Sequence, residues 1–313
     1  MATLTAPTPS GTTVPPASPE GTPRRASIRA FIQRRPAPAF YALAFASSWA
    51  GILLGVGALA LLKAADDRAV ARLWGGLETT PSTGQVFSPD LVAGLPDPAR
   101  RYFLHAIRPG APLAARVRLT QTGSIRFGGG WARFAAEQLL TRGGFVWKAA
   151  SRVGPLPITA TDHYAGGRGR MRAAAFGLVP FVSATGPELT RSAIGRLVVE
   201  HMWLPSAWLP QAGATIEPVD DDRFAVVRPV GGETPRVVLR VGADGRLLGS
   251  SLLRFGNQAP DGRFRYIPFG GPTDAEETFG GYTIPTRIRA GWGYGTDRYQ
   301  EDFRFRITAA TYA

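Results

Sequence analysis

The sequence predicts a mainly β protein: a large curved antiparallel sheet or unclosed β-barrel with one long lid helix, preceded by a single N-terminal transmembrane helix. Three observations predict this class. Residues 38–62 carry no charge, many segments after Leu113 alternate apolar and polar residues, and one stretch at 187–203 has helical spacing. After the apolar run about 250 of the 313 residues remain, enough for one large domain or two small ones.

The composition argues against several classes of protein. The 36 basic and 23 acidic residues give a formal net charge of +13, but the arginines are spread through the whole chain instead of forming a patch with stacking aromatic residues. We therefore predict no nucleic-acid partner. The chain has no cysteine, which excludes disulfides, thiol catalysis, iron–sulfur clusters and a lipid-modified cysteine.

Residues 1–36 are predicted to form a disordered tail rich in proline, threonine and serine, because they offer too few apolar side chains to offset the entropy cost of ordering. A basic cluster ends this tail on one side of the apolar run, whereas Lys63 on the other side is soon followed by Asp66 and Asp67. The cluster consists of Arg24, Arg25, Arg29, Arg34 and Arg35.

We assign a transmembrane helix to residues 37–63. At ~1.5 Å per residue, the apolar run is longer than the ~30 Å hydrocarbon core of a bilayer. The excess of positive charge before the run places the tail in the cytoplasm and the large domain outside the cytoplasmic membrane, in the periplasm or another extracytoplasmic space. A cleaved signal peptide is the alternative; the length of the run and of the segment before it favours an uncleaved anchor.

A face of small residues within this helix offers a surface for helix packing. Gly51 and Gly55 form a G-x-x-x-G pattern, and Ala42, Ala46 and Ala50 continue small residues at the same spacing. Such a face allows two helices to approach closely and predicts a homodimer through the transmembrane helix. The alternative is an alanine-rich helix with incidental glycines.

The β-rich extracytoplasmic domain is predicted to comprise residues 88–313, after a juxtamembrane linker at 64–87. Ser88 and Asp97 each precede a proline, a pattern in which the side chain caps the helix that follows. The second pattern predicts a short helix over residues 98–107.

Alternating segments predict about ten to thirteen antiparallel strands with one buried and one exposed face. In residues 116–127, odd positions are largely apolar and even positions carry arginine or hydroxyl groups. Residues 236–241, 287–290 and 303–307 alternate in the same way, and glycine pairs or Asp-Gly turns separate such segments.

One helix, predicted over residues 187–203, interrupts the strands and ends where Pro205 follows. With this helix and one short helix to cover it, a sheet of so many strands leaves a large apolar concave face. Either the protein's own aromatic side chains fill this space, or a ligand does. Membrane anchoring favours a lipid-like ligand. The aromatic side chains available to fill the space are Trp131, Phe134, Phe145, Trp147, Phe176, Phe255, Phe264, Phe269, Trp292, Phe303 and Phe305.

The strongest candidate site is the C-terminal end of the lid helix, where the mouth of a cavity is expected. Aromatic and sulfur-containing apolar side chains are concentrated there, ahead of a proline. Ordinary core packing is the alternative. The candidate ligand-binding residues are His201, Met202, Trp203, Trp208, Trp147 and Phe176.

No catalytic, metal-binding or cofactor-binding residue is predicted. His105, His163 and His201 fall on different elements, and none pairs with another at the spacing of a zinc-binding helix. The segment 162–164, Asp-His-Tyr, offers a base without an identifiable partner, and the nucleophile-elbow pattern G-x-S-x-G does not occur. Residues 220–222 are three aspartates, for which a solvated hairpin turn is preferred over calcium binding.

Three segments resemble a bacterial family of uncharacterised extracytoplasmic proteins. They read LPDPARRYF at 95–103, GPEL at 186–189 and HMWLPSA at 201–207. The resemblance covers roughly residues 90–313 and leaves out the tail and the anchor. It implies no assigned chemistry.

The order of strands and turns is also similar to that of the lipoprotein-carrier superfamily. Residues 243–246 lead into one strand and residues 281–286 open another in a comparable layout. This resemblance implies an unclosed antiparallel β-barrel with a helical lid over a hydrophobic cavity. Members of that superfamily carry acyl chains or sense lipoproteins outside the cytoplasmic membrane. The resemblance assigns no binding residue.

These observations are compatible with three functions. The first is a membrane-anchored extracytoplasmic module that binds a lipid or a lipoprotein acyl chain in its cavity. The second is a non-catalytic protein-interaction or sensor domain of the cell envelope, and the third is an enzyme of unrecognised type. A cavity filled by side chains favours the second, and a cleft that brings histidine, aspartate and serine together favours the third.

Overall fold

One antiparallel sheet of thirteen strands dominates the part of the chain that the structure, a computed structural model, describes: Gln33, residues 36–127 and residues 129–313. The predicted disordered tail and its arginines lie outside the described residues, apart from Gln33 and Pro36. The strands are β1 (Arg116–Phe127), β2 (Gly130–Thr141), β3 (Phe145–Val153), β4 (Leu156–Ala165), β5 (Arg168–Ala175), β6 (Val179–Thr185), β7 (Thr215–Pro218), β8 (Arg223–Val227), β9 (Arg236–Val241), β10 (Leu247–Gly256), β11 (Arg265–Phe279), β12 (Tyr282–Trp292) and β13 (Gln300–Tyr312).

The sheet is built from two meanders that meet in its middle. Strands β1 to β6 follow one another outward, strands β7 to β13 return, and β13 pairs with β1. In that central pair Val117 lies opposite Tyr312, and Ile125 lies opposite Phe303. The edges β6 and β7 remain apart in the sheet order, so the sheet is unclosed. The predicted mainly β, unclosed antiparallel fold is confirmed.

Three helices accompany the sheet within the described residues: α1 (Pro36–Glu78), α2 (Asp97–Ala106) and α3 (Pro187–Glu200). α1 is the one among them that is long and apolar enough to cross a membrane. Short 3-10 turns are formed by Pro89–Val92, His201–Trp203, Pro205–Trp208 and Pro210–Ala212.

The chain divides into two units, Met1–Gly57 and Ala58–Ala313, with the boundary inside α1. In the first unit, Gly51 and Gly55 are exposed, and a Cβ atom added to either would meet no atom of the described chain within 4 Å. Both positions are thus open to a second helix, and the homodimer remains a prediction.

In the second unit, the last part of α1 packs on the outer face of the sheet. Val70 and Trp74 are buried against Leu139 and Val146 of strands β2 and β3. The ammonium group of Lys148 lies 3.9 Å from the centre of the Trp74 ring, a cation–π contact. The contacts of Val70 and Trp74 attach the last part of α1 to the sheet, well after the apolar run has ended.

Helix α3 follows the edge strand β6 and spans the concave face of the sheet, as the sequence predicts. A Cβ atom on Gly169 of β5 would lie 2.8 Å from the Cα of Thr190, and one on Gly195 would lie 3.1 Å from the Cγ of Arg254 on β10. Glycine at these two positions allows the helix to approach both halves of the sheet closely. α3 therefore bridges the two meanders and acts as their common cover.

One end of the sheet, the closed end, is covered by α2 and by the 3-10 turns of residues 201–212. Trp208 and Tyr102 are fully buried there, with ring centroids 6.0 Å apart. Phe103 and Phe224 complete the cluster at 5.2 Å and 5.8 Å from the Tyr102 ring. The aromatic side chains of the covering segments fill this end of the fold.

The opposite end, the open end, consists of uncovered hairpin turns that follow Phe127, Val153 and Ala175. The loop at 257–264, between β10 and β11, lies at the same end. Gly177 in the β5–β6 turn has a positive φ of 68°, and a Cβ atom there would lie 3.1 Å from the Cε of Lys63. The open end therefore borders the point at which the apolar run of α1 stops.

The two predicted side-chain caps do not form. Ser88 stands at the N-cap of the turn Pro89–Val92 without a side-chain hydrogen bond. Asp97 is the first residue of α2, and its carboxylate pairs with Arg100 and Arg101 instead.

The predicted lid helix over residues 187–203 is confirmed. It is α-helical to Glu200, and His201–Trp203 continue it as a tighter 3-10 turn. The helical stretch ends before Pro205, because proline lacks an N–H donor and disfavours helical geometry in the residue before it.

Candidate ligand-binding cavity

A cavity of about 360 Å³ lies between α3 and the concave face of the sheet. Both meanders contribute to its wall, since residues of β1 to β6 and of β10 to β13 face it. Its apolar lining includes Ile125, Phe134, Trp147, Met171, Leu189, Val199, Met202, Trp203, Phe269, Ile288, Trp292, Phe303 and Phe305. The lining is predominantly apolar, with Asp162, Arg196, Glu200 and Arg254 as its charged residues.

Small side chains explain why the space is not filled. On α3 the cavity is lined by Ser192 and Ala193, and on the sheet by Ser250, Gly270 and Ala290. Protein interiors are close-packed wherever side chains reach one another. Small residues on both facing walls prevent that contact and leave an open volume.

Aromatic rings form the rest of the wall in edge-to-face and stacked pairs. Phe134 lies 5.7 Å from Trp147 and 5.8 Å from Phe305, measured between ring centroids. Phe269 lies 4.9 Å from Trp292 in a similar edge-to-face pair. Such pairs hold the rings in fixed orientations and keep the cavity shape independent of an occupant.

The mouth of the cavity lies at the open end. Asn257 and Gln258 line the cavity and are exposed to solvent, and Phe264 beside them is 40% exposed. At the same end, Phe127 of β1 contacts Phe181 of β6, with ring centroids 5.9 Å apart. In the sheet order, four strands lie between β1 and β6. This contact brings β1 and β6 together at the open end.

A buried ion-pair cluster occupies one side of the cavity wall. Arg196 of α3 donates hydrogen bonds to Asp162 at 2.5 Å and to Glu200 at 2.7 Å. Its guanidinium carbon also lies 4.7 Å from the centre of the Phe145 ring. Removing charges from water is costly unless they are paired, and Arg196 pairs with both carboxylates at once.

Polar side chains extend this cluster into the sheet. Gln138 donates to Glu200 at 2.7 Å, Gln121 donates to Gln138 at 2.9 Å, and the indole of Trp147 donates to Gln121 at 3.0 Å. The network links α3 to strands β1, β2 and β3. It also fixes the orientation of the Trp147 ring in the cavity wall.

A second arginine faces the cavity without a carboxylate partner. Arg254 of β10 donates its Nε–H to the carbonyl of Ser192 at 3.2 Å, and its guanidinium carbon lies 4.9 Å from the Phe269 ring and 5.2 Å from the Trp292 ring. Burial, and then repulsion from Arg196, lower the pKa of Arg254 to about 10. It therefore remains protonated at neutral pH and places a guanidinium group without a directly contacting carboxylate in the cavity wall.

The residues that the sequence singled out fall into three places. Trp147, Met202 and Trp203 line the cavity, and their contact with a ligand remains a prediction. His201 and Trp208 are fully buried outside the cavity lining, where Trp208 donates to the carbonyl of Val198 at 3.0 Å. Phe176 is 65% exposed in the β5–β6 turn, outside the lining as well.

The three histidines lie apart from one another. His105 contacts Glu276 at 2.9 Å, and the Nε2 of His201 lies 3.2 Å from the carbonyl oxygen of Thr141. Burial, and then the nearby charge of Arg228, lower the pKa of His201 to about 3. Burial also lowers the pKa of His163. Among the described residues, no group of three or more potential metal-ligating side chains converges.

Sequence reasoning missed the charged side of the cavity, namely Arg196, Glu200 and Arg254. Arg196 and Glu200 are four residues apart within α3, where the surrounding positions are apolar and buried. A charged pair on the buried face of an amphipathic helix was the available signal. Arg254 carried no such signal, because an arginine in a strand usually indicates an exposed face.

A second depression, of about 470 Å³, lies beside α3 on strands β9 to β11. Arg191 and Glu233 in its lining pair with each other at 2.7 Å, and Tyr266 and Leu253 are exposed. The charged groups of this depression are already paired, and its surface is open to solvent. The cavity under α3 is therefore the stronger candidate site.

The fold and the cavity define a class of protein: an open antiparallel sheet bridged by a lid helix over an internal apolar pocket. The chain belongs to the family of unknown function DUF6544, whose sequence profile matches residues 85–304. No curated protein matches the chain.

Six chains of solved structures match this chain, among them the following two. The first is a DUF1329 family protein from Desulfovibrio piger, with 13% sequence identity and a TM-score of 0.37. The match covers 64% of this chain and 86% of the Desulfovibrio piger chain. The second is a putative outer membrane lipoprotein-sorting protein domain from Vibrio parahaemolyticus, with 7% sequence identity and a TM-score of 0.35. The match covers 63% of this chain and 85% of the Vibrio parahaemolyticus chain. At these TM-scores neither structure carries an argument about function.

Proposed function

We propose that the protein is a membrane-anchored extracytoplasmic module that binds a hydrophobic ligand, a lipid or a lipoprotein acyl chain, in the cavity under α3. The observation that carries this proposal is an apolar cavity of about 360 Å³ with a preformed aromatic wall. Its volume falls at the lower end of the ~300–1,000 Å³ that is usual for small-molecule pockets. A single hydrocarbon chain suits such a narrow, mostly apolar space.

The anchor supports a ligand that comes from a membrane. The apolar run of α1 stops at Lys63, and Lys63 borders the β5–β6 turn at the open end, where the mouth of the cavity lies. An apolar molecule that leaves a bilayer has only a short aqueous path to a mouth in that position. The segments 37–63 as transmembrane helix, 64–87 as linker and 88–313 as extracytoplasmic domain belong to this proposal.

The test is native mass spectrometry with lipid extraction on the full-length chain, purified from its own membrane. We expect a co-purifying hydrophobic molecule. Ala184→Phe, which places a large ring in the cavity lining on β6, is expected to displace it. Ser183→Phe is the matched control, because the neighbouring residue on the same strand is exposed and outside the lining.

Two results would count against this function. A wild-type chain without any bound molecule, and without uptake of a fluorescent fatty-acid probe, moves the assignment to a protein-interaction or sensor domain. Equal loss of the ligand from Ala184→Phe and from Ser183→Phe means that the ligand does not occupy the cavity.

A further inference from the structure

We propose that the cavity selects amphiphiles with an anionic head group, a carboxylate or phosphate on a single hydrocarbon chain, and that Arg254 is the residue that recognises this head. The inference rests on the proposed function and names the class of ligand for the same site. Three features of the cavity wall carry it.

The first feature is the surroundings of Arg254. Its side chain is enclosed by α3 and by the rings of Phe269 and Trp292, yet it keeps exposed surface because that surface faces the cavity. The Nε–H of Arg254 already donates a hydrogen bond to the carbonyl oxygen of Ser192. Among the described residues, its two terminal nitrogens find no hydrogen-bond acceptor, although they are not sealed from solvent.

The second feature is the pairing of the other charges. Asp162 and Glu200 are the carboxylates in the cavity lining, and Arg196 binds both of them. The repulsion from Arg196 affects Arg254 more strongly than the attraction of either carboxylate does. Arg254 is therefore left without a carboxylate that contacts it directly.

The third feature is the chemistry of the guanidinium group. Its planar fork of N–H donors matches the two oxygens of a carboxylate or a phosphate, and stacking on aromatic rings holds the fork in place. The same rings exclude water, which strengthens the contact with an anion. A charged head at Arg254 would leave the hydrocarbon chain against the apolar wall formed by Phe134, Phe303 and Phe305.

Three ligands that differ only in their heads test this inference: dodecanoate, dodecanol and dodecylamine. Their affinities are measured at neutral pH by tryptophan fluorescence on the full-length chain in a non-ionic amphipol. Dodecanoate is expected to bind about tenfold to one hundredfold more tightly than dodecanol, because hydrogen bonds to charged groups contribute more than neutral ones. Dodecylamine is expected to bind most weakly.

Arg254→Gln is expected to reduce the preference for dodecanoate over dodecanol to less than about threefold. Arg240→Gln, which removes the same charge from an exposed position on β9 outside the cavity, is the matched control and is expected to keep the preference. If Arg254→Gln fails to fold, the three wild-type affinities decide whether the cavity selects an anionic head, and Arg254→Lys, which keeps the charge and loses the planar fork, tests the role of Arg254.

The outcomes separate the two proposals. Equal affinities of the wild type for dodecanoate and dodecanol, or a preference that survives in Arg254→Gln, would overturn the role of Arg254 and leave the hydrophobic cavity intact. Failure of all three ligands to bind would instead overturn the proposed function. Dodecyl phosphate binding as tightly as dodecanoate assigns recognition to the oxyanion in general, and weaker binding assigns it to a carboxylate.

A separate observation concerns the surface around the mouth. Large apolar side chains are exposed at the open end, including Phe176 at 65% and Val179 at 51%. Trp131 nearby lies between two arginines, with the guanidinium carbons of Arg126 and Arg304 at 5.2 Å and 4.2 Å from the centre of its ring. The exposed set comprises Phe127, Trp131, Val153, Phe176, Val179 and Phe181.

We also infer that this end of the domain rests in the head-group layer of the lipid bilayer. Aromatic side chains interleaved with arginine are typical of membrane interfaces. Leu61 and Leu62, the last two residues of the apolar run, are exposed directly before Lys63, and Lys63 borders the turn that contains Phe176. The end of the apolar run and the exposed rings therefore lie on one side of the second unit.

Because the chain contains no cysteine, a single introduced thiol is a unique labelling site. Phe176→Cys is labelled with an environment-sensitive fluorophore and reconstituted as the full-length chain in phosphatidylcholine–phosphatidylglycerol vesicles that contain head-group spin-labelled lipid. Quenching severalfold stronger than at the control site Glu277→Cys, an exposed position near the closed end, is expected. Equal quenching at both sites would overturn this inference. So would a fluorophore at position 176 that is shielded from water but not quenched by the spin-labelled lipid.

Discussion

The closed end and the open end of the same sheet are built in opposite ways. At the closed end Trp208, Tyr102 and Phe103 have at most 2% of their surface exposed and pack ring against ring. At the open end the space between α3 and the sheet is a cavity, and aromatic side chains such as Phe176 face solvent. One continuous sheet thus has a filled half and an unfilled half.

The covering segments account for this difference. α2 and the 3-10 turns of residues 201–212 supply large side chains to the closed end, whereas α3 presents the small residues Ser192 and Ala193 to the cavity. A curved sheet buries its apolar face only where another element reaches it. The filled end provides stability, and the unfilled end is available for binding.

The largest expected effect is at the closed end. Trp208→Ala is expected to lower the free energy of unfolding by about 3–5 kcal/mol, because it leaves a cavity and removes the hydrogen bond to Val198. Trp131→Ala, at a site 37% exposed near the mouth, is expected to cost less than about 1 kcal/mol. Denaturant unfolding of the full-length chain measures both. Similar losses would remove the distinction between the two ends.

The ion-pair cluster sharpens the comparison, since it supports the cavity wall where packing is absent. Arg196→Met is expected to cost about 3 kcal/mol, because it leaves Asp162 and Glu200 buried without a positive partner. Replacing Asp162 and Glu200 by leucine in the same variant is expected to recover most of that loss. A triple variant as unstable as Arg196→Met would contradict this account of the wall.

Acidification tests the closed end through His201. Its folded-state pKa of about 3 lies below the usual value of 6.5, so the unfolded chain binds more protons between these limits. Stability is therefore expected to fall as pH decreases from about 6.5 toward about 3, by on the order of 2 kcal/mol at the middle of this range. His163, whose pKa burial also lowers, adds to the same trend.

His201→Gln is the variant for this measurement. It removes the titrating group, so the dependence of unfolding free energy on pH is expected to become shallower while the contribution of His163 remains. An unchanged slope in unfolding experiments across this range would show that His201 is not held neutral by its buried position.

The smallest expected effect lies in the β5–β6 turn of the open end. Phe176 has a φ of 51°, a left-handed conformation that is unfavourable for a side chain other than glycine. Phe176→Gly is expected to stabilise the fold by up to about 1 kcal/mol, whereas Phe181→Gly within β6 is expected to destabilise it. A loss of stability in Phe176→Gly would mean that the exposed ring contributes to folding.

Much of the fold could be predicted from residue patterns. Alternation in segments such as 116–127 gave β1, and helical spacing placed α3 between the two groups of strands. Trp147, Met202 and Trp203, chosen for their chemistry and position, line the cavity. Local periodicity predicts these features because it reports which face of an element is buried.

Other parts of the candidate site could not be predicted. His201 and Trp208 belong to the same aromatic segment as Met202, yet they turn into the filled core, because 3-10 turns at residues 201–208 direct successive side chains to different sides. Arg254 resembles any strand arginine in the sequence. Its position in the cavity depends on α3 approaching through Gly195.

By itself, then, the sequence determined the long apolar helix, the antiparallel strands and the single long lid helix, because each follows from a periodicity or a run of neighbouring residues. Only the tertiary structure decided which end of the sheet is filled. It also brought Arg196 of the helix, Asp162 of one meander and Arg254 of the other to the wall of one cavity. These contacts join residues distant in the chain, and pairing across the sheet and the approach of the helix determine them together.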